Sequence, residues 1–184
     1  MAIEEAPYTV VKADSPFELR DYAPHIVAET PVAGDLESAG SNAFQNLFRY
    51  ISGANKAQEK IAMTAPVSQS KGEKIAMTAP VGQQKAGDRW LVSFMMPASY
   101  GMATLPIPDD PTVTLREVPA RRIAAVRYSG FWSEDNYTEN LTKLEAWIQQ
   151  QGLEAVGEPI WARYNAPFVP WFMRRNEVLI PVAE

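Results

Sequence analysis

The sequence predicts an α+β fold: a distorted, mostly antiparallel β-barrel with two helices, built from two pseudo-symmetric halves. Three observations predict it. Short runs with the two-residue period of strands recur along the chain. Two stretches instead place apolar residues at three- and four-residue steps. The order strands, helix, strands then occurs twice, with no linker long or polar enough to part the halves. The 184 residues predict one domain over 1–184. A chain of this length buries roughly 70% of its unfolded surface and needs no staples.

Tyr8-Thr9-Val10-Val11 and Phe17–Tyr22 read as strands around an Asp14-Ser15-Pro16 turn. In the second, Phe17, Leu19 and Asp21 face one way, and Glu18, Arg20 and Tyr22 the other. His25–Thr30 forms a further strand after the Ala23-Pro24 break. Asp35 or Ser38 then caps a helix by accepting a bond from a free backbone N–H. Ala43, Phe44, Leu47, Phe48 and Ile51 make its apolar stripe, and Gly53 supplies a left-handed stop.

Next comes a repeat. Glu59-Lys60-Ile61-Ala62-Met63-Thr64-Ala65-Pro66-Val67 recurs letter for letter as Glu73–Val81, after the polar connector Ser68–Gly72. Each copy alternates like a strand, and the connector predicts a hairpin between them. Two copies are too few and too short for a solenoid. Arg89–Met96 is another strand, and Pro97–Pro111 a proline-rich loop. Thr112–Arg116 and Arg121–Tyr128 are strands. A second helix starts near Ser133, with Glu134 and Asp135 in its positive-dipole turn. Tyr137, Leu141, Leu144 and Ile148 give its stripe, and Gly152 ends it. Ala155–Tyr164 is extended, Ala166–Met173 is a proline- and aromatic-rich loop, and Glu177–Val182 closes the chain as a strand.

Composition narrows the functional classes. At 46% hydrophobic and 21% charged the chain reads as an ordinary globular protein. Its net charge of −5 gives nucleic-acid binding no electrostatic drive. The absence of Cys removes disulfides, thiolate metal sites and Cys nucleophiles. A lone histidine, His25, leaves no His/Cys zinc set, and every familiar triad would have to use it. No Gly-rich phosphate loop is present. Met1–Glu5 is acidic with no apolar run behind it, and no stretch reaches the ~18 apolar residues of a membrane span, so a cytoplasmic location is expected. A leader removed earlier would leave the same sequence. Two Asn-x-Thr sequons, at Asn136 and Asn140, fall inside the second helix, with nothing to indicate secretion.

Several segments resemble the SOUL haem-binding family. They are Phe17-Glu18-Leu19-Arg20-Asp21-Tyr22, Ala43–Gly53 with Asn55, the Lys-Ile-Ala-Met-Thr-Ala-Pro-Val strands and Phe94-Met95-Met96-Pro97. Ser129-Gly130, Ala162-Arg163-Tyr164-Asn165 and Arg174–Val178 complete the set, which spans nearly the whole chain in order. The doubled nonamer looks like the bacterial branch. The resemblance implies a distorted β-barrel of two similar halves with two helices, similar also to effector-binding domains of some bacterial transcription regulators. It implies tetrapyrrole binding, chiefly haem, in an apolar groove beside the first helix, and no well-established enzyme activity. Where one family member carries an axial His after its Leu-Arg pair, this chain has Asp21. Of two basic positions that serve the propionates in another member, one is matched by Arg49 and the other falls near Val169.

A haem-like ligand needs a wide apolar wall and cations at its rim. Phe44 and Phe48 are candidates for one side of it, and Phe168, Trp171, Phe172 and Met173 for a lid. Arg49 and Arg174, or Arg175, are candidates to meet a carboxylate. The structural alternatives are an amphipathic helix on a sheet, an aromatic loop over a barrel end, and Arg–Glu pairs fixing Arg174–Glu177 against the closing strand. His25 is a candidate axial ligand or a strand-end His, and Met63 and Met77 are thioether ligands or core residues. The expectation is a non-enzymatic haem or tetrapyrrole binding or carrier protein. The alternative is a non-haem small-molecule sensor or protein-interaction module on the same fold, and an enzyme acting on a tetrapyrrole comes last.

Overall fold

The computed structural model describes residues 3–57 and 72–184. The first nonamer copy and the hairpin predicted beside it lie outside the described residues. Thirteen strands and two helices are described: β1 (Glu4–Glu5), β2 (Tyr8–Asp14), β3 (Phe17–Tyr22), β4 (His25–Val32), α1 (Leu36–Ile51), β5 (Asn55–Lys56), β6 (Thr78–Ala79), β7 (Val81–Ala86), β8 (Arg89–Met95), β9 (Ile107–Pro108), β10 (Thr114–Val118), β11 (Arg121–Tyr128), α2 (Glu134–Gln150), β12 (Ile160–Arg163) and β13 (Asn176–Pro181). Nine strands form a curled, antiparallel half-barrel in the order β10-β4-β8-β7-β12-β13-β11-β3-β2.

The halves correspond strand for strand. β4 and β11 have the same burial pattern, and each leads towards a helix that packs back across it. α1 lies on β4 and β8, and α2 on β11 and β13. The outer strands are exchanged. β3 precedes β4 in the chain but pairs with β11, while β10 precedes β11 but pairs with β4.

Both helices follow the local chemistry. Asp35 accepts from the backbone N–H of Ser38 at 2.7 Å and caps α1. Leu36, Ala39, Ala43, Leu47 and Ile51 bury one stripe, and Gly53 takes φ +120° just past the end. On α2, Ser133 accepts from Asn136 N–H at 3.2 Å, and Leu144, Trp147 and Ile148 are buried. Ser133→Ala should therefore cost about 1 kcal/mol in urea unfolding. A loss near zero would show that the cap adds nothing beyond solvent.

The core has two faces. Towards the helices, Ala124, Val126, Trp161, Val178 and Ile180 pack with α2, and Ala28, Val92, Phe94 and Leu105 pack with α1. On the opposite face, Tyr22, Met95, Ile123, Ala162 and Leu179 are covered by Ala6 of the N-terminal segment.

The second nonamer departs from the strand predicted for it. Glu73–Met77 has no strand structure, because its backbone is held from the helix side. Asn55 Nδ2 donates to Glu73 O, Glu73 N–H donates to Asn55 Oδ1 (both 2.8 Å), and Ile75 N–H donates to Ile51 O at 2.7 Å. Pairing resumes at Thr78 and Ala79, parallel to Glu4 and Glu5. The extended segment predicted over Ala155–Tyr164 narrows likewise to β12 and a single bridge from Ala155 to Val182.

Candidate functional site

One cross-strand row sets the floor of the site. Ala28, Phe94, Val81, Arg163, Asn176 and Tyr128 are successive register partners from β4 to β11. Register partners share a face of the sheet. Here that face is the one beneath the helices, since Ala28 and Phe94 pack under α1. Helical spacing brings Gly40, Ser41 and Phe44 of α1 together above this floor.

Between them lies a groove of about 550 Å³. Phe44 forms its helical wall, with Phe94 at 5.2 Å and Phe48 stacked at 5.9 Å between ring centroids. Met77, Ala79 and Val81 supply the second wall. The repeat thus contributes to the groove as well as to the core, where Ile75 is 5% exposed. Trp132, Arg163 and Pro167 close the far side. The size falls within the range of pockets that hold drug-sized ligands.

Arg163 is the one charged residue lining this groove among the described residues. Its guanidinium lies 4.8 Å from the Trp161 ring centroid and 5.4 Å from that of Trp132. Among the described residues its one side-chain hydrogen bond is a long one, 3.5 Å from Nη2 to Gln83 Oε1, and Nε has no partner. Burial pulls its pKa down to about 10 against a smaller opposing effect of the Tyr128 hydroxyl, and no carboxylate among the described residues acts on it. Trp161 Nε1 and Tyr128 Oη nearby are also buried, near each other but without a well-formed hydrogen bond.

The residues singled out from sequence fall in four places. Phe44 lines the groove, and Phe48 stacks on it at the surface, 49% exposed. Arg49 is exposed and outside the lining; its charge lowers the Asp110 carboxyl slightly, beneath the larger effect of bonds from Thr112. Past Pro167, Phe168 is 88% exposed, and Trp171, Phe172 and Met173 are also exposed, with Trp171 stacked 5.1 Å from Phe131.

Arg174 donates to the carbonyls of Val169 and Pro167 at 2.9 and 2.8 Å and lies 4.3 Å from the Trp132 ring centroid. Arg175 pairs with Glu177 and Glu5, both at 3.1 Å. Arg174 therefore holds its own loop through backbone carbonyls, and Arg175 ties that loop to the closing strand through Glu177. His25 opens β4 with Nδ1 3.0 Å from Ala23 O. Burial lowers its pKa, with Arg121 and Arg116 adding to the effect, and it lines a different cavity beside Pro24, Met95 and Glu117.

Residues 3–181 match the model of the SOUL heme-binding protein family. The chain belongs to the SOUL haem-binding family. Solved structures repeat the SOUL architecture at low identity. The EcmrR C-terminal domain superposes with a TM-score of 0.61 at 13% identity, covering 96% of this chain and 98% of that one. A protein described as a hydrolase from Listeria innocua gives 0.60 at 13%, covering 91% of each. EcmrR bound to DNA gives 0.63 at 12%, covering 91% and 57%. At these identities the likeness is one of fold. No curated protein matches significantly.

Within this SOUL fold, the groove can bind an apolar body along α1 and meet a negative charge at its floor. Among the described residues no cluster of three or more His, Asp or Glu is placed to hold a metal, and no helix is long and apolar enough to cross a membrane. Sequence reasoning quoted Arg163 for family resemblance and missed it as a site residue. Its signal was Gly40. A glycine inside a helix costs about 1 kcal/mol against Ala, and a Cβ here would lie 2.5 Å from Arg163 Nη2.

Proposed function

We propose that the groove beside α1 holds a tetrapyrrole, with haem the candidate, and that the protein binds or carries it rather than turning it over. The observation that carries this is an apolar groove of about 550 Å³ whose one charged lining residue among those described is a cation. The donor set fits the group. Phe44, Met77 and Trp132 would bear on a flat apolar macrocycle, and an arginine would meet a propionate. Bound haem supplies a redox-active iron. The chain's own residues bind and orient it and exclude water from one face.

Phe48 extends the helical wall outward. Phe168, Trp171, Phe172 and Met173 provide an aromatic lip past Pro167, with Arg49 and Arg174 as outer cations. His25 stays outside this arrangement, because it lines the other cavity. The doubled nonamer supports placement in the family's bacterial branch, and the acidic net charge favours a small molecule over nucleic acid.

The test is a haem titration followed in the Soret band, with Ser41→Trp as the blocking variant. Ser41 is exposed on α1 and lines the groove, so a Trp there fills space without opening the core. Wild type should bind with micromolar affinity or better, and the variant at least tenfold more weakly. A flat wild-type titration, or equal binding by both, would sink the proposal. The exposed Phe131–Trp171 stack favours a second reading, a protein-interaction module, which predicts no haem-induced shift.

A further inference from the structure

We propose that Arg163 is a built-in anion anchor, so that the groove selects amphipathic ligands with a carboxylate reaching its floor. The inference rests on the groove being the binding site and names the ligand chemistry that the site demands.

Buried cations in folded proteins normally face a carboxylate or a full set of acceptors, because an uncompensated charge is costly to bury. Arg20 shows that rule in this molecule, meeting Glu177 through two bonds of 2.8 and 2.9 Å. Arg163 breaks it. Among the described residues no ion pair reaches it, its Nε is unpartnered, and its one hydrogen-bond acceptor, Gln83 Oε1, lies as far as 3.5 Å away. Gln83 is itself committed through Nε2 to the Leu36 carbonyl at 2.7 Å. What supports the guanidinium is aromatic, the rings of Trp161 and Trp132, which hold it in place without neutralising it. Gly40 leaves the room it occupies against α1.

The surroundings show which partner is missing. The groove reaches Arg163 and holds no acid of its own among the described residues. A ligand anion therefore meets no competitor and no repulsion, and finds a planar donor fork suited to a carboxylate. A neutral ligand of the same shape would cover the charge and leave it unpaired. Local rules are broken most readily where a site is built to be completed by something else.

The experiment compares two probes that differ only at the acid: protoporphyrin IX and its dimethyl ester, each titrated against wild type, Arg163→Met and Ser41→Trp. Wild type should prefer the diacid by about tenfold to a hundredfold, as expected for one charge-assisted bond. Arg163→Met should bind both alike, at the ester's wild-type affinity, and should melt close to wild type without ligand, because no ion pair is lost among the described residues. Equal wild-type affinities for acid and ester, or a preference that survives in Arg163→Met, overturn the anchor while leaving the groove reading intact. The wild-type comparison decides this even if the variant fails to fold. Binding that Ser41→Trp does not weaken, or no binding of either probe, overturns the groove reading and the anchor with it.

Discussion

Replacing Glu177 with Leu is expected to cost about 3–5 kcal/mol of stability, the typical loss when one partner of a buried ion pair is removed. Glu177 is 0% exposed on β13 and Arg20 is 1% exposed on β3, with β11 lying between their strands. Their bidentate contact bridges that strand on the face away from the helices. Arg127 and Arg175 add longer bonds to Glu177, at 3.4 and 3.2 Å, so its loss strands more than one guanidinium. Burial opposes the charge of Glu177, yet the bond and field of Arg20, with Arg175 behind it, win and hold its carboxyl below the ordinary glutamate value. Its contribution is therefore complete above the ordinary pKa of 4.5 and is lost as pH falls through the lower folded value. Urea unfolding of Glu177→Leu should show both the loss near neutrality and a shallower decline in acid. The pair Arg20→Met with Glu177→Leu should recover part of the loss, since no charge of that pair is then buried alone. A loss under about 1 kcal/mol in the single variant would refute the account.

Trp161→Ala is the other change with a large expected effect, about 3–5 kcal/mol. Trp161 is 1% exposed in the middle of the sheet, 5.7 Å from the Tyr137 ring, and packs with α2. Removing the ring opens a cavity whose walls, strands and helix alike, cannot close. It also removes one of the two rings under Arg163. Haem affinity should therefore fall along with stability, even where the variant remains folded. Trp161→Phe keeps a ring and deletes an N–H that makes no well-formed hydrogen bond. Its loss should be clearly smaller, and equal losses in the two variants would show that the indole ring contributes little as packing.

The helices were legible because their signals are local. Ser133 and Asp35 cap, Gly53 and Gly152 stop, and the stripe of Leu144 and Ile148 buries as the spacing requires. Trp147 was missed from that stripe although it is 3% exposed. The fold class was legible for the same reason, since strand and helix periods alternate along the chain. Partners chosen at long range were not. Alternation in Glu73–Val81 predicted a strand, and the Asn55 amide took the backbone of Glu73 instead. The groove was half legible: Phe44 reads as an apolar helical residue, but its meeting with Met77 and Arg163 depends on sheet register. The aromatics of 168–173 read as candidates for a lid or a barrel-end cover, and their exposure past Pro167 was not legible, because loop composition does not fix which way a loop turns.

The exchange of outer strands has a consequence for how the pocket comes into being. β3 reaches across to β11 and β10 back to β4, so each half completes the other's sheet, like two clasped hands. The groove draws α1 and Phe44 from one hand and Trp132 and Arg163 from the other. Both crossings join residues roughly a hundred positions apart, as Asp21 meets Arg122 and Glu29 meets Thr114, and such contacts form late and together. No half-formed chain therefore assembles the groove, and a ligand held there would add its binding free energy to the whole protein rather than to one lobe.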